Sequence, residues 1–186
     1  MVIGVLDIQG SVVEHVAALE KLGLDVVRVK HPEDLEEIKG LIIPGGESTT
    51  IGKLLRRFGL REAILKRVDE GMAIWGTCAG AILLAKKIVG SQQADGLELM
   101  NIAVERNAYG RQLDSFETPL EFAGDSVPAV FIRAPKIVSV GDNVKILAIY
   151  KNDIVAAREG KLLATTFHPE LSEDLRVHRY FVGVCR

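Results

Sequence analysis

The chain of 186 residues is poor in cysteine, in net charge and in long apolar runs. Two cysteines, Cys78 and Cys185, offer no disulfide framework, and such usage suits a reducing, cytoplasmic setting in which a thiol stays free. Lys and Arg number 23 against 25 Asp and Glu, for a formal net charge of −2. That balance excludes the strong basic excess expected of a nucleic-acid-binding surface. No apolar run approaches the roughly 20 residues of a membrane span, and the N-terminus lacks a signal peptide's basic start and long apolar stretch. The two cysteines and four histidines have no ligand-like spacing, so neither a metal nor another cofactor is expected. Repeats, low-complexity tracts and linkers are missing too. What is present is 48% hydrophobic and 26% charged residues, with a mean hydropathy of +0.20. That is the make-up of a compact soluble protein, and the length fits one domain over residues 1–186 with a sizeable core.

Strand-like and helix-like runs alternate through the first two-thirds. Val2–Asp7 is a short apolar strand. Val12, Val16, Leu19 and Leu22 fall near helical spacing, and Gly23 stops that helix. Asp25–Lys30 reads as a strand, Pro32–Ile38 as a short acidic helix, and Leu41–Ile43 as a buried strand broken by Pro44-Gly45-Gly46. Helical patterns over Thr50–Arg57 and Leu60–Glu70 precede a strand at Met72–Trp75 and a helix at Ala79–Lys86. The alternation predicts βαβ units, hence an α/β fold of three layers with a mostly parallel sheet flanked by helices. Beyond Gly90, β-branched residues over 127–140 and 144–166 are punctuated by turns at Gly141–Asn143, Lys151–Asp153 and Glu159–Lys161. They predict an antiparallel hairpin portion in the C-terminal half. Ser172 is placed to cap a last helix running through Val184.

Chemistry concentrates at three points. In Trp75-Gly76-Thr77-Cys78-Ala79-Gly80 a strand turns straight into a helix around one cysteine, the cysteine form of a nucleophile elbow. Four histidines are candidate bases. His15 and His178 fall inside predicted helices and His31 precedes a proline in a loop, whereas His168 follows the strand-like Leu162–Phe167 and opens His168-Pro169-Glu170. Pro169 pushes His168 towards an extended backbone, so His168 and Glu170 project to one side and Glu170 can orient the imidazole. Pro44-Gly45-Gly46-Glu47-Ser48 also follows a strand, which sets its amides at the carboxyl edge of the sheet, where open α/β sheets hold ligands. The amides of Gly46 and Ala79 together make an oxyanion hole. Taken singly, a cysteine among small apolar residues reads as core packing and Gly45-Gly46 as a tight turn. Only the conjunction points to catalysis.

These residues resemble the class I (triad-type) glutamine amidotransferases, which carry P-G-G, G-x-C-x-G and H-P-E in the same roles. Within that class the blocks Gly4–Gly10, Pro44–Thr50, Glu105–Gln112 and Phe131–Pro135 are similar to the glutaminase subunits of bacterial pyridoxal 5′-phosphate synthase. P-G-G and H-P-E are widespread, while G-G-E-S-T-T and R-N-x-Y-G-R-Q are specific to these subunits. Asp7 and Tyr109 depart from the family's usual residues.

The resemblance implies a flavodoxin-like fold of the class I amidotransferase type. It implies hydrolysis of L-glutamine to L-glutamate and ammonia, with the ammonia passed to a synthase subunit in a hetero-oligomeric complex. Cys78 is then the nucleophile, His168 the general base and acid, and Glu170 the orienter. Gly46, Glu47, Ser48, Arg106, Ile132 and Arg133 line the glutamine site, an arginine suiting the substrate's α-carboxylate. Arg111 reads equally as structural or substrate-binding. No synthetase is fused after the last helix, so a stand-alone subunit acting in trans is expected. The rival readings are another amidotransferase subunit, such as that of imidazole glycerol phosphate synthesis, and a non-amidotransferase relative of the fold, which keeps the elbow cysteine but lacks H-P-E.

Overall fold

A computed structural model of the chain describes residues 1–90, 95–106 and 115–186. The predicted alternation forms: strands β1 (Val2–Leu6), β2 (Asp25–Val29), β3 (Gly40–Ile43) and β4 (Ala73–Thr77) are separated by helices α1 (Val12–Lys21), α2 (Ser48–Arg57) and α3 (Leu60–Asp69). Then come α4 (Ala79–Leu84), β5 (Ala85–Ile88) and β6 (Met100–Glu105), a series of strands β7 (Phe116–Phe122), β8 (Asp125–Phe131), β9 (Lys136–Val140), β10 (Lys145–Tyr150), β11 (Asp153–Glu159) and β12 (Leu162–Thr165), and α5 (Arg176–Val184).

Among the described residues the main sheet follows the order β2-β1-β3-β4-β12-β11-β9-β6-β5, with β10 paired to β11. The run from β2 to β12 is parallel. The β11–β12 hairpin turns the chain back so that β12 enters beside β4 in the parallel sense. Strands β7 and β8 form a separate antiparallel ribbon. The central strands are buried on both faces, and alternate side chains serve two cores. Leu41, Ile43 and Ile74 pack with Ile51, Leu55 and Ile64 under α2 and α3. Ile42, Ala73, Trp75 and Leu163 pack with Val12, Leu19, Val177 and Phe181 under α1 and α5.

Several local expectations are corrected. The acidic stretch after Pro32 makes only a 3-10 turn, Pro32–Leu35. The helix after Cys78 ends at Leu84, because Ala85–Ile88 pairs with β6 and that ladder outweighs local helix preference. The turn at Gly141–Asn143 joins β9 to β10 without pairing them, since each pairs with β11 instead. Ser172 does not cap the last helix: its hydroxyl donates to the Pro169 carbonyl, and α5 starts at Arg176.

Candidate active site

Strands β3, β4 and β12 are neighbours in register, with Ile43 opposite Gly76 and Thr77 opposite Thr165. Each predicted motif begins just beyond one of these three carboxyl ends. Parallel pairing therefore gathers Gly45-Gly46, Cys78 and His168, which sequence keeps far apart, onto one edge.

Cys78 sits at φ 48°, ψ −101°, in the left-handed region where a β-carbon is crowded. Such strain costs about 1–3 kcal/mol and persists only where the surroundings enforce it. Here the Cys78 N–H donates to the Thr165 carbonyl at 2.8 Å. The flanking glycines let α4 fold back onto the sheet: a β-carbon on Gly80 would lie 2.2 Å from the Ile43 carbonyl oxygen. The thiol is nearly buried, 9% exposed.

His168 is held by its own N–H, which donates to the Val130 carbonyl of β8 at 2.8 Å. Its Nδ1 lies 2.8 Å from Glu170 Oε1, and both side chains are buried. The Cys78 side chain lies close enough to the imidazole to raise its proton affinity. Gly45 lies between His168 and Cys78: a β-carbon there would lie 2.4 Å from His168 Cε1 and 3.4 Å from Cys78 Cβ. Burial alone would push the His168 imidazolium down, but its interactions with Cys78 and Glu170 outweigh it and hold the group up at about 10. Burial would raise the Glu170 carboxyl, yet His15 and His168 beside it hold it at about 2. The site thus favours an imidazolium beside the Glu170 carboxylate.

In front of Cys78 opens a cavity of 620 Å³. Gly46, Glu47, Ser48, Ala79, Arg106, Ile132 and Arg133 all line it with Cys78 and His168, whereas Glu170 lies behind His168. Arg106 follows β6 and is half-buried, and its Nε makes no hydrogen bond among the described residues. Arg133 follows β8 in a left-handed conformation, φ 43°. The Gly45 carbonyl accepts from the Ser11 N–H at 3.1 Å, which fixes one orientation of the Gly45–Gly46 peptide. Glu47 differs from the expectation in one respect. Its carboxylate caps α2, accepting from the N–H groups of Thr49 at 3.2 Å and Thr50 at 2.7 Å and from both their hydroxyls. Those bonds, the Thr49 hydroxyl's foremost, hold it down at about 2. Tyr109 and Arg111 fall outside the described residues.

Three polar residues near the site were not singled out from sequence. Gln9 Oε1 accepts from the Glu47 N–H at 2.9 Å and packs where Gly46 lacks a side chain. His15 and His178 are fully buried behind Glu170. A signal existed for both: His15 shares the buried face of α1 with Val12, Ala18 and Leu19, and His178 shares that of α5 with Val177, Phe181 and Val182.

The fold and the motifs along its carboxyl edge define a triad-class glutamine amidotransferase. The chain belongs to the SNO glutamine amidotransferase family, whose model matches residues 5–186. It is 54% identical to the pyridoxal 5′-phosphate synthase subunit PdxT of Thermotoga petrophila, over all of both chains. It is 53% identical to the protein of the same name from Niallia circulans, over 100% of this chain and 98% of that one. A crystal structure of a glutamine amidotransferase, 51% identical, superposes with a TM-score of 0.95 over 100% of this chain and 99% of the other. No helix among the described residues is long and apolar enough to cross a membrane.

Proposed function

We propose that this chain is a single-domain glutaminase subunit of a pyridoxal 5′-phosphate synthase, hydrolysing L-glutamine and handing the ammonia to a synthase subunit. The observation that carries the mechanism is the gathering of Cys78 and His168 in one cavity large enough for an amino acid, with Glu170 holding the imidazole from behind. Full-length identity above one half to proteins named as subunits of that synthase supports the choice of pathway over that of another amidotransferase.

In this reading the Cys78 thiolate attacks the side-chain amide carbon of glutamine. Negative charge moves to the amide oxygen, where the Gly46 and Ala79 amides receive it, each such donor worth on the order of 3 kcal/mol in the transition state. His168, protonated and held by Glu170, gives its proton to the departing nitrogen, and ammonia leaves as the thioester forms. The now neutral His168 takes a proton from water, hydroxide adds to the thioester, and collapse releases glutamate and restores the thiolate. Arg106 and Arg133 supply charge for the substrate's α-carboxylate, with the unpartnered Arg106 Nε free to donate. Glu47 shapes the cavity wall, with its carboxylate engaged by α2, its N–H by Gln9 and its carbonyl by the Ile51 N–H.

Ammonia release from glutamine, measured with and without the synthase subunit, tests this reading. The wild-type chain should release ammonia when the partner is present, and Cys78→Ala should fold but release none. Turnover by Cys78→Ala at the wild-type rate refutes the assignment.

A further inference from the structure

Behind the triad lies a second pair of imidazoles that the mechanism above does not use. His15 Nε2 is 3.4 Å from Glu170 Oε2 and 3.3 Å from Thr77 Oγ1, and His15 Nδ1 is 3.0 Å from His178 Nε2. Trp75 meets both rings edge to face, with centroids 5.5 Å from His15 and 4.9 Å from His178, and its indole N–H is anchored on Thr165 Oγ1 at 3.1 Å. Glu170 Oε2 is fully buried and accepts no hydrogen bond among the described residues, and His15 Nε2 at 3.4 Å is a polar group facing it.

We infer that His15 is a positioning residue of the triad, its Nε2–H fixing the second oxygen of Glu170 so that the first meets His168 squarely. This rests on the triad reading proposed above. The tautomer follows from the geometry. The Thr77 hydroxyl can serve Nε2 as donor or acceptor, and the Glu170 carboxylate 3.4 Å away in a dry interior decides for a proton on Nε2. Nδ1 must then accept, and the donor available to it is the His178 Nε2–H. That choice leaves His178 Nδ1 as a buried lone pair without a partner, which is the atom the structure shows unsatisfied. The opposite choice would strand a buried N–H there instead. One direction of donation therefore runs from His178 to His15 to Glu170, while His168 donates to Glu170 from the other side. The charged or titratable groups facing His15 are Glu170, His168, His178 and Glu14. Burial holds His15 down despite Glu170, and burial with His15 holds His178 down to about 3, so both rings act as neutral dipoles. The orienting element of the site thus reaches through Glu170 into α1 and α5.

Two measurements on the full-length chain test this, and neither depends on the identity of the substrate. Nitrogen-15 shifts of the wild-type imidazoles should show His15 neutral with its proton on Nε2 from pH 6 to 9. A proton on Nδ1 overturns the inference without any variant. Iodoacetamide alkylation of Cys78, read at that peptide by mass spectrometry across pH, reports the thiolate–imidazolium pair. His15→Phe should slow Cys78 alkylation about tenfold at neutral pH, the size of effect expected from losing one buried polar contact to a charged group. His15→Gln keeps an N–H near the Nε2 position and should restore most of the wild-type profile. If His15→Phe alkylates with the wild-type profile, His15 does not position the triad. If wild-type Cys78 alkylates no faster than the buried Cys185 at any pH, the triad reading fails and takes the inference with it.

Discussion

At the scale of single residues, the site depends on side chains that are absent as much as on those present. Gly45 lies between Cys78 and His168 with no room for a methyl group. Gly45→Ala should leave the far-ultraviolet circular dichroism unchanged while cutting ammonia release by about a hundredfold, because a shift of about 1 Å in a catalytic group carries such a cost. Cys78, His168 and Glu170 were readable from sequence because each sits in a short motif directly after a strand. His15 and His178 fall inside helical patterns, where the sequence alone gives a histidine no distinguishing role. Their placement on the apolar stripes of α1 and α5 marks them as buried, but what they touch is decided by packing between elements 163 residues apart.

At the scale of elements, Glu47 shows how one residue joins folding to the site. Its carboxylate begins α2 by accepting two backbone and two hydroxyl donors, while its own N–H is tied to Gln9. Glu47→Ala should lower stability by about 1 kcal/mol, the usual cost of losing a helix cap, visible as a reduced urea midpoint at unchanged slope. Most helix and strand types in the first half are legible because their apolar periods are clear, Pro32–Ile38 being an exception that closes only a 3-10 turn. Ala79–Lys86 is another, since its sequence suits a helix throughout, and only pairing of Ala85–Ile88 with β6 converts its second half to strand. The cap on α5 was misplaced for a similar reason: Ser172 is drawn back to the turn after His168.

At the scale of the whole molecule, the buried histidines set opposing pH dependences. His178, held at about 3, and His15, also lowered, resist protonation in the folded chain, so their contribution to stability is lost as pH falls below 6.5. His168, held up at about 10, contributes fully below 6.5 and loses its contribution as pH rises through 10. Glu170, held at about 2, adds a further loss between pH 4.5 and 2. From these groups, stability should peak near pH 6.5, as read by urea midpoints across pH. In Cys78→Ala the alkaline decline should flatten, because the thiol is one of the groups holding the His168 proton. The strand order was not legible in sequence. That β12 returns through a hairpin to lie parallel beside β4 is a property of the sheet, and it is what brings His168 to Cys78.

The central claim is that Cys78 is the nucleophile of a glutaminase. The most direct measurement incubates the full-length chain, together with the synthase subunit, with a glutamine analogue bearing an electrophilic carbon in place of the amide. Peptide mass spectrometry then locates the adduct. Cys185 is the internal control, since burial pushes its thiol up to about 12. The account predicts stoichiometric label on Cys78, prevented by excess glutamine and absent from Cys185. Label on Cys185, or an unlabelled Cys78 in a chain that still releases ammonia, would contradict it.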